Sequence, residues 1–275
     1  SFKKIDLNII LIIILDALFY ILSGYLVIYW LQRIQAKMST ISLPAPENLV
    51  ALGYDKAQQV LSDAKMFYYL IIFSFILLLI AVIFLASILK GIIWAKTTKT
   101  KISFALISRF LALNLVWMGF WFVLMFLISL TINPDTVQFF MIITIILGYY
   151  YTNTFYRLFM EIQSFGIILD AIKLNITKIH FFSLPYAVIF ALWFIISFLS
   201  GLTKLTTATF FAVIKLYSLM GIDVQALASN APLQVSPFII QIIFALSLLF
   251  NPASLLLFAF IRYYISTLVL EVEKL

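Results

Sequence analysis

Residues 67–93 read FYYLIIFSFILLLIAVIFLASILKGII, an apolar run in which Lys90 is the only charged residue. A hydrocarbon core about 30 Å thick is crossed by roughly 20 apolar residues in helical conformation. The run exceeds that length, so it predicts a transmembrane helix. A single transmembrane helix seldom accounts for a sequence that is apolar throughout, so further spans are expected elsewhere in the chain.

The composition of the chain is that of a membrane protein throughout. Of 275 residues, 65% are hydrophobic and only 11% are charged. A soluble domain carries about 25% charged residues. The mean hydropathy of +1.15 excludes a soluble globular protein, a disordered chain and a nucleic-acid-binding domain. The net charge of +7 is therefore better explained by loop lysines and arginines beside membrane spans than by a nucleic-acid partner.

The same length criterion finds five further runs, so we predict an all-α, polytopic transmembrane helix bundle forming one integral membrane domain over residues 1–275. The predicted spans cover residues 7–31, 67–93, 102–132, 137–159, 184–202 and 237–270, with outer loops at 32–66 and 203–236. The fifth span begins near Leu184-Pro185. In the long last span we expect either a kink near Asn251-Pro252 or a short interfacial piece before the span. Residues 205–222 leave a seventh span open, although Lys215 in their middle favours an interfacial or re-entrant helix.

Positive charge is distributed unevenly across this topology. Eleven lysines and arginines fall on the side of the N-terminus and six on the other. The eleven are Lys3, Lys4, Lys90, Lys96, Lys99, Lys101, Arg157, Lys173, Lys178, Arg262 and Lys274. Because cytoplasmic loops carry the excess of lysine and arginine, we expect a multi-pass protein of the cell membrane with both termini in the cytoplasm.

Two segments outside the spans have the periodicity of amphipathic helices. Residues 47–65 predict a helix that lies on the membrane or caps the bundle on the outer side, with a docking surface as the alternative. Residues 161–180 predict an interfacial helix on the inner side. There Ile167 and Ala171 belong to the apolar face, while Asp170, Lys173 and Asn175 belong to the polar face. Its lysines would lie among anionic lipid head groups.

The residue inventory excludes most cofactor chemistry. The chain has no cysteine and a single histidine, His180. Disulfides, thiolate zinc sites, iron–sulfur clusters and bis-histidine haem sites are therefore excluded. The glycine-rich phosphate-binding loop, the zinc-protease helix and the nucleophile elbow of hydrolases are not found either. We expect no cofactor, no metal site, no catalytic residue and no enzymatic activity.

Polar residues inside the predicted spans are the candidate functional site, because such groups are costly in lipid. Asp16 is the clearest, roughly 14 Å into the first span at 1.5 Å per residue. Depth alone would let six residues converge in the inner half of the membrane. They are Asp16, Tyr20, Arg109, Asn153, Arg157 and Arg262. These residues are either structural, as an Asp16–arginine pair that fixes helix neighbours or as arginines that reach the head groups, or part of a cavity that binds an ion, a proton or a polar head group.

Several short stretches resemble uncharacterised multi-pass membrane proteins of AT-rich archaeal genomes. They are FKKIDL at residues 2–7, Leu15-Asp16 with Phe19-Tyr20, KGIIW at residues 90–94 and Arg262-Tyr263-Tyr264. The resemblance extends over most of the chain, mainly through composition and span layout. It implies a polytopic membrane fold and carries no activity and no residue roles.

Two functions fit these observations. The first is a non-enzymatic integral membrane protein that acts as a subunit or scaffold of a membrane assembly, with the lipid bilayer and other membrane-protein subunits as partners. The alternative is a small channel or transporter that uses the inner-half polar cluster around Asp16. A water-filled cavity reaching Asp16 would favour the transporter. A tightly packed bundle with an apolar groove on one flank would favour the subunit. A third candidate, a lipid-active intramembrane enzyme, would need a catalytic group that the sequence does not offer.

Overall fold

A computed structural model describes residues 7–38, 54–202, 205–222, 224 and 252–273. Within these residues the regular secondary structure is entirely α-helical, which confirms the predicted class. The helices are α1 (Leu7–Met38), α2 (Tyr54–Thr98), α3 (Phe104–Thr131), α4 (Pro134–Ile162), α5 (Ile167–Thr177), α6 (Ile179–Leu202), α7 (Leu205–Leu219) and α8 (Pro252–Glu273).

Five of the described helices are long and apolar enough to cross a membrane, namely α1, α2, α3, α6 and α8. The chain is therefore a multi-pass membrane protein by helix length and composition. Helix α4 covers the predicted fourth span with 29 residues, but three tyrosines at 149–151 and Asn153 make its second half less apolar. Helix α7 has 15 residues, about 22 Å, which is shorter than the hydrocarbon core.

Helices α1 and α2 are longer than the spans predicted for them. Helix α1 continues to Met38, and α2 is a single helix of 45 residues, about 68 Å long. From Tyr54 onward, the amphipathic helix predicted at residues 47–65 is therefore part of α2 and not a separate element. Residues 47–53 lie outside the described part of the chain. Helix α2 continues without a break because residues 54–90 contain neither proline nor glycine. The polar side chains before residue 67 indicate where the hydrocarbon core would stop, but polar side chains do not terminate a helix.

Pro185 and Pro252 both lie in helices of the first unit, the former inside its helix and the latter at the start. Helix α6 begins at Ile179, so Pro185 lies inside the helix and does not begin it as predicted. Helix α8 begins at Pro252, a first-turn position where the missing N–H group has no partner to lose. The predicted kink before Pro252, and residues 237–251 of the predicted last span, lie outside the described residues.

The chain divides into two compact units. The first comprises Ser1–Tyr20, Ile83–Thr209 and Leu248–Leu275, and the second comprises Ile21–Val82 and Phe210–Ser247. In the second unit, Trp30 donates a hydrogen bond from Nε1 to Ser74 Oγ over 3.0 Å. Tyr217 there donates from its hydroxyl to the Ile21 carbonyl over 3.3 Å. Many large apolar side chains on residues 54–82 are exposed, as expected of surface that faces lipid.

An aromatic core and a buried polar chain hold α2, α3 and α4 together in the first unit. The centre of the Phe110 ring lies 4.8 Å from the centre of the Tyr156 ring and 5.5 Å from that of the Phe159 ring. Tyr156 donates to Asn114 Oδ1 over 2.6 Å, and Asn114 Nδ2 donates to Ser87 Oγ over 3.0 Å. These hydrogen bonds satisfy polar groups that lipid could not satisfy.

Gly91 lets α2 approach α3 closely. A Cβ atom at this position would meet Ile107 Cδ1 at 3.0 Å and Phe110 Cδ1 at 3.2 Å. We expect Gly91→Leu to lower the free energy of unfolding by about 1–3 kcal/mol, because the larger side chain forces the two helices apart. The measurement is unfolding in detergent followed by tryptophan fluorescence.

Gly119 on α3 supplies the matched control, since a Cβ atom there meets nothing within 4 Å. Gly119→Leu should leave stability unchanged or raise it by up to about 1 kcal/mol through helix propensity. Equal losses in the two variants would contradict a specific contact at Gly91.

Candidate functional site

The candidate site is a buried cluster of three charged residues from three helices of the first unit. Asp16 on α1 is completely buried. Lys90 on α2 donates from Nζ to Asp16 Oδ1 over 2.6 Å. Arg262 on α8 donates from Nη2 to Asp16 Oδ1 over 2.8 Å and from Nη1 to Oδ2. Both oxygens of the carboxylate are therefore engaged by cations.

An apolar contact one helical turn away brings these three residues together. Ile12, Ile93 and Ala259 are each completely buried and pack against one another. Asp16 follows Ile12 by four positions, Lys90 precedes Ile93 by three, and Arg262 follows Ala259 by three. Residues three or four apart share one face of a helix. The apolar contact therefore turns all three charged side chains toward the same point.

Aromatic rings surround the lysine. Its Nζ atom lies 4.5 Å from the centre of the Phe19 ring and 5.0 Å from that of Tyr20. Such cation–π contacts stabilise an ammonium group that has lost much of its water. The side chains of Lys90 and Arg262 are only 15% and 8% exposed. The aromatic rings compensate in part for the water that Lys90 gives up.

The cluster carries one more positive than negative charge. Asp16 contributes one negative charge against the two cations that bind it. Burial of ions in a low-dielectric interior costs several kcal/mol per ion unless other charges and hydrogen bonds compensate. The other described acidic residues of this unit lie elsewhere. Glu161 Oε2 is 3.4 Å from Arg157 Nη1, and Asp170 and Glu271 are exposed.

Of the six residues predicted to converge, the structure brings three together. Asp16 and Arg262 form a direct ion pair, and Tyr20 reaches the cluster through Lys90. The other three occupy different surroundings. Asn153 donates from Nδ2 to the Tyr149 carbonyl, Arg157 bonds Glu161 and the Ser266 carbonyl, and Arg109 is exposed on α3.

Arg109 lies apart from the cluster because depth in the membrane does not specify the direction of a side chain. Leu106, Phe110, Leu113 and Trp117 form the buried face of α3. Arg109 immediately precedes Phe110 and so points about 100° away from it. Depth in the sequence therefore could not select the members of the cluster.

Lys90 is the member that sequence reasoning missed. It was counted among the loop cations because it lies at the end of an apolar run. The signal that could have identified it is the apolar sequence on both sides, since Ile92, Ile93 and Trp94 follow it. A lysine enclosed in this way belongs to the helix, and its amine must find a partner there.

The grooves described on the first unit do not involve the charged cluster. One lies between α6 and α8 and has a cavity volume of about 360 Å³. Its lining is almost wholly apolar and includes Leu184, Val188 and Phe260. Two others lie along α4, and neither is lined by Asp16, Lys90 or Arg262. Within the described residues, no group of three or more histidine, cysteine, aspartate or glutamate side chains is placed to hold a metal ion.

No family model, no curated protein and no solved structure matches this chain.

Proposed function

We propose that the protein is a non-enzymatic integral membrane protein that acts as a subunit or scaffold of a membrane assembly. The observation that carries this proposal is the complete engagement of Asp16. Both its oxygens bind cations from other helices, and its side chain is completely buried. A carboxylate held in this way fixes the mutual positions of α1, α2 and α8 and has no free oxygen for a transported ion.

The topology we propose has six spans, with α4 as the fourth and both termini in the cytoplasm. Lys90, Arg157 and Arg262 bond to groups on other helices and should not be counted as loop charges. The side that holds the termini then keeps eight lysines and arginines against six on the other. This excess still favours a cytoplasmic location. Helix α7 is placed on the outer side as an interfacial or re-entrant element.

The groove between α6 and α8 supports a role in assembly. Leu184, Val188 and Phe260 are about half exposed or more, although they line a concave surface. Helices associate in lipid largely through close packing of their side chains. A concave apolar flank offers such packing to a helix of a neighbouring subunit.

The test is the mass of the intact particle. We expect the protein, extracted in mild detergent from its native membrane, to appear by native mass spectrometry in a stoichiometric complex with other polypeptides. Val188→Trp, which fills the groove, should weaken that complex, whereas Phe104→Trp on exposed surface outside the groove should not. A particle that contains only this chain would contradict the proposal.

The charge surplus of the cluster favours a second candidate, a small carrier or channel for anions. Two cations on one carboxylate leave a net positive charge that an anion could neutralise. In this case Lys90→Gln would remove chloride flux in liposomes while preserving the fold. Flux equal to that of protein-free liposomes for the unaltered chain would eliminate this candidate.

A further inference from the structure

Helix α7 is hydrogen-bonded to the middle of α1 in the second unit. Tyr217 on α7 is buried, and its hydroxyl donates to the Ile21 carbonyl over 3.3 Å. Ile21 lies about 21 Å from the first residue of α1 and about 26 Å from the last. A hydrocarbon core about 30 Å thick contains Ile21 wherever along α1 it lies. This contact therefore favours the re-entrant over the interfacial alternative for α7.

The end of α7 lies at the same level and has a complete cap. After Leu219 the chain turns through Gly221, whose φ of +86° is a conformation that glycine adopts readily. The Ile222 N–H donates to the Tyr217 carbonyl over 3.0 Å, and the Gly221 N–H donates to the Ser218 carbonyl over 3.0 Å. These are the two hydrogen bonds of a Schellman cap. They satisfy backbone carbonyls that lipid could not satisfy.

Lys215 lies two residues before Tyr217 and points in nearly the opposite direction. At 100° per residue the two side chains are about 160° apart, and Lys215 is exposed. Along the helix axis the two residues are separated by only about 3 Å. Among the described residues, Lys215 has neither a hydrogen bond nor an ion pair. A charge at this depth is costly unless an opposite charge or water lies beside it.

The exposed face around Lys215 is largely apolar. Five exposed residues lie within about 60° of Lys215, and together with it they form what we call the Lys215 face. They are Ala208, Phe211, Ala212, Ser218 and Leu219. Phe211 and Leu219 are 60% and 78% exposed. Small residues such as Ala212 and Ser218 permit the close approach of another helix in lipid. A water-filled passage would be lined by more polar groups, so this face fits a helix better.

Helix α5 of the first unit shows how the protein accommodates a polar residue between helices. The sequence pattern placed Asn175 on a polar face, but the structure places it on the buried face of α5. Thr154 on α4 donates to Asn175 Oδ1 over 2.9 Å, and the Tyr150 hydroxyl donates to the Asn175 carbonyl over 3.0 Å. Lys215 has no such neighbour in the described part of the chain. Its opposite charge therefore has to be supplied by another molecule.

A second copy of the chain does not offer that charge. The chain has 11 acidic residues, and Asp16 is the only one within the six predicted spans. Both oxygens of Asp16 already bind cations, and its side chain is completely buried. A free carboxylate at the depth of Lys215 must consequently come from a different protein.

We infer that the Lys215 face binds a transmembrane helix of a different polypeptide, and that an aspartate or glutamate within the apolar run of that helix pairs with Lys215. Such a pair would repeat the contact of the first unit, where Lys90 Nζ lies 2.6 Å from Asp16 Oδ1. The apolar side chains of the Lys215 face pack against the same helix. This inference rests on the proposed role as a subunit and specifies the chemistry of the partner.

Cross-linking in the native membrane tests the pair directly. Dicyclohexylcarbodiimide is apolar and activates a carboxylate, and a neighbouring amine then displaces dicyclohexylurea to form an amide bond. Peptide mass spectrometry should show Lys215 joined to an acidic residue inside an apolar run of about 20 residues in another polypeptide. Lys56, exposed at the start of α2, is the matched control and should give no such link. The absence of a link at Lys215, or a link to a second copy of this chain, would overturn the inference.

Substitutions measure what the pair contributes to the assembly. By native mass spectrometry, Lys215→Gln should weaken the complex by roughly ten-fold or more, because it leaves the carboxylate of the partner without its opposite charge. Lys215→Arg keeps the charge and should retain the complex, and Lys56→Gln should leave it unchanged. A complex unaffected by Lys215→Gln would overturn this inference and leave the assembly proposal intact. A particle that contains only this chain would contradict both, so the two failures are distinguishable.

Discussion

Asp16→Asn should lower the free energy of unfolding by about 3–5 kcal/mol, because it leaves Lys90 and Arg262 buried side by side without their counter-charge. The amide has nearly the same shape as the carboxylate, so the lost stability reports the missing charge and not a change in side-chain volume. Unfolding in mixed detergent micelles, followed by tryptophan fluorescence, gives the value. A stable Asp16→Asn protein with altered anion flux would instead support the carrier.

Two further variants separate the charge effect from general disruption. Asp170→Asn removes an exposed carboxylate from α5 and should change stability by less than about 0.5 kcal/mol. The triple variant Asp16→Leu/Lys90→Met/Arg262→Met removes every charge of the cluster and should regain most of the lost stability, since apolar replacements of a whole buried ion cluster are often neutral or stabilising. A triple variant as unstable as Asp16→Asn would contradict the electrostatic explanation.

Phe110→Ala should have an effect of similar size, a loss of about 3–5 kcal/mol, because it opens a cavity in the core of the first unit. Phe110 is completely buried and contacts the rings of Tyr156 and Phe159. The groups that line the cavity lose dispersion contacts that no water or lipid replaces. The same unfolding measurement applies.

Phe104→Ala is the matched control for this substitution. Phe104 is the same residue type on the same helix, but it is 88% exposed. Its removal should cost less than about 0.5 kcal/mol. A Phe110→Ala protein as stable as Phe104→Ala would mean that the core of this unit does not pack around Phe110.

The helical fold could be predicted because the length of an apolar run is visible in the sequence and needs no knowledge of contacts between helices. Helix ends were less predictable, since they depend on local backbone chemistry. At the start of α3, Ser103 accepts a hydrogen bond from the Leu106 N–H, and the helix began within two residues of the predicted position. At the start of α2, residues 54–90 contain no proline or glycine, and the helix begins 13 residues before the predicted span.

The candidate site could be predicted in part for a related reason. Depth suggested that Asp16 and Arg262 could converge, and the structure places the two side chains in contact. The direction of each side chain depends on which face of its helix is buried, and for α2 that face is set by contacts such as Ile93 with Ile12 and Ala259. Those contacts join residues far apart in sequence, so no local pattern could place Lys90 beside Asp16.

The partners of Asp16 are synthesised at widely different times. Lys90 follows it by 74 residues and Arg262 by 246. At about 5–20 residues per second, Lys90 emerges roughly 4–15 s after Asp16 and Arg262 roughly 12–50 s after it. Lys90 is thus the first counter-charge available to the newly inserted carboxylate. The nascent chain can hold a neutral pair for most of its synthesis, and the surplus positive charge arises only when α8 joins the bundle.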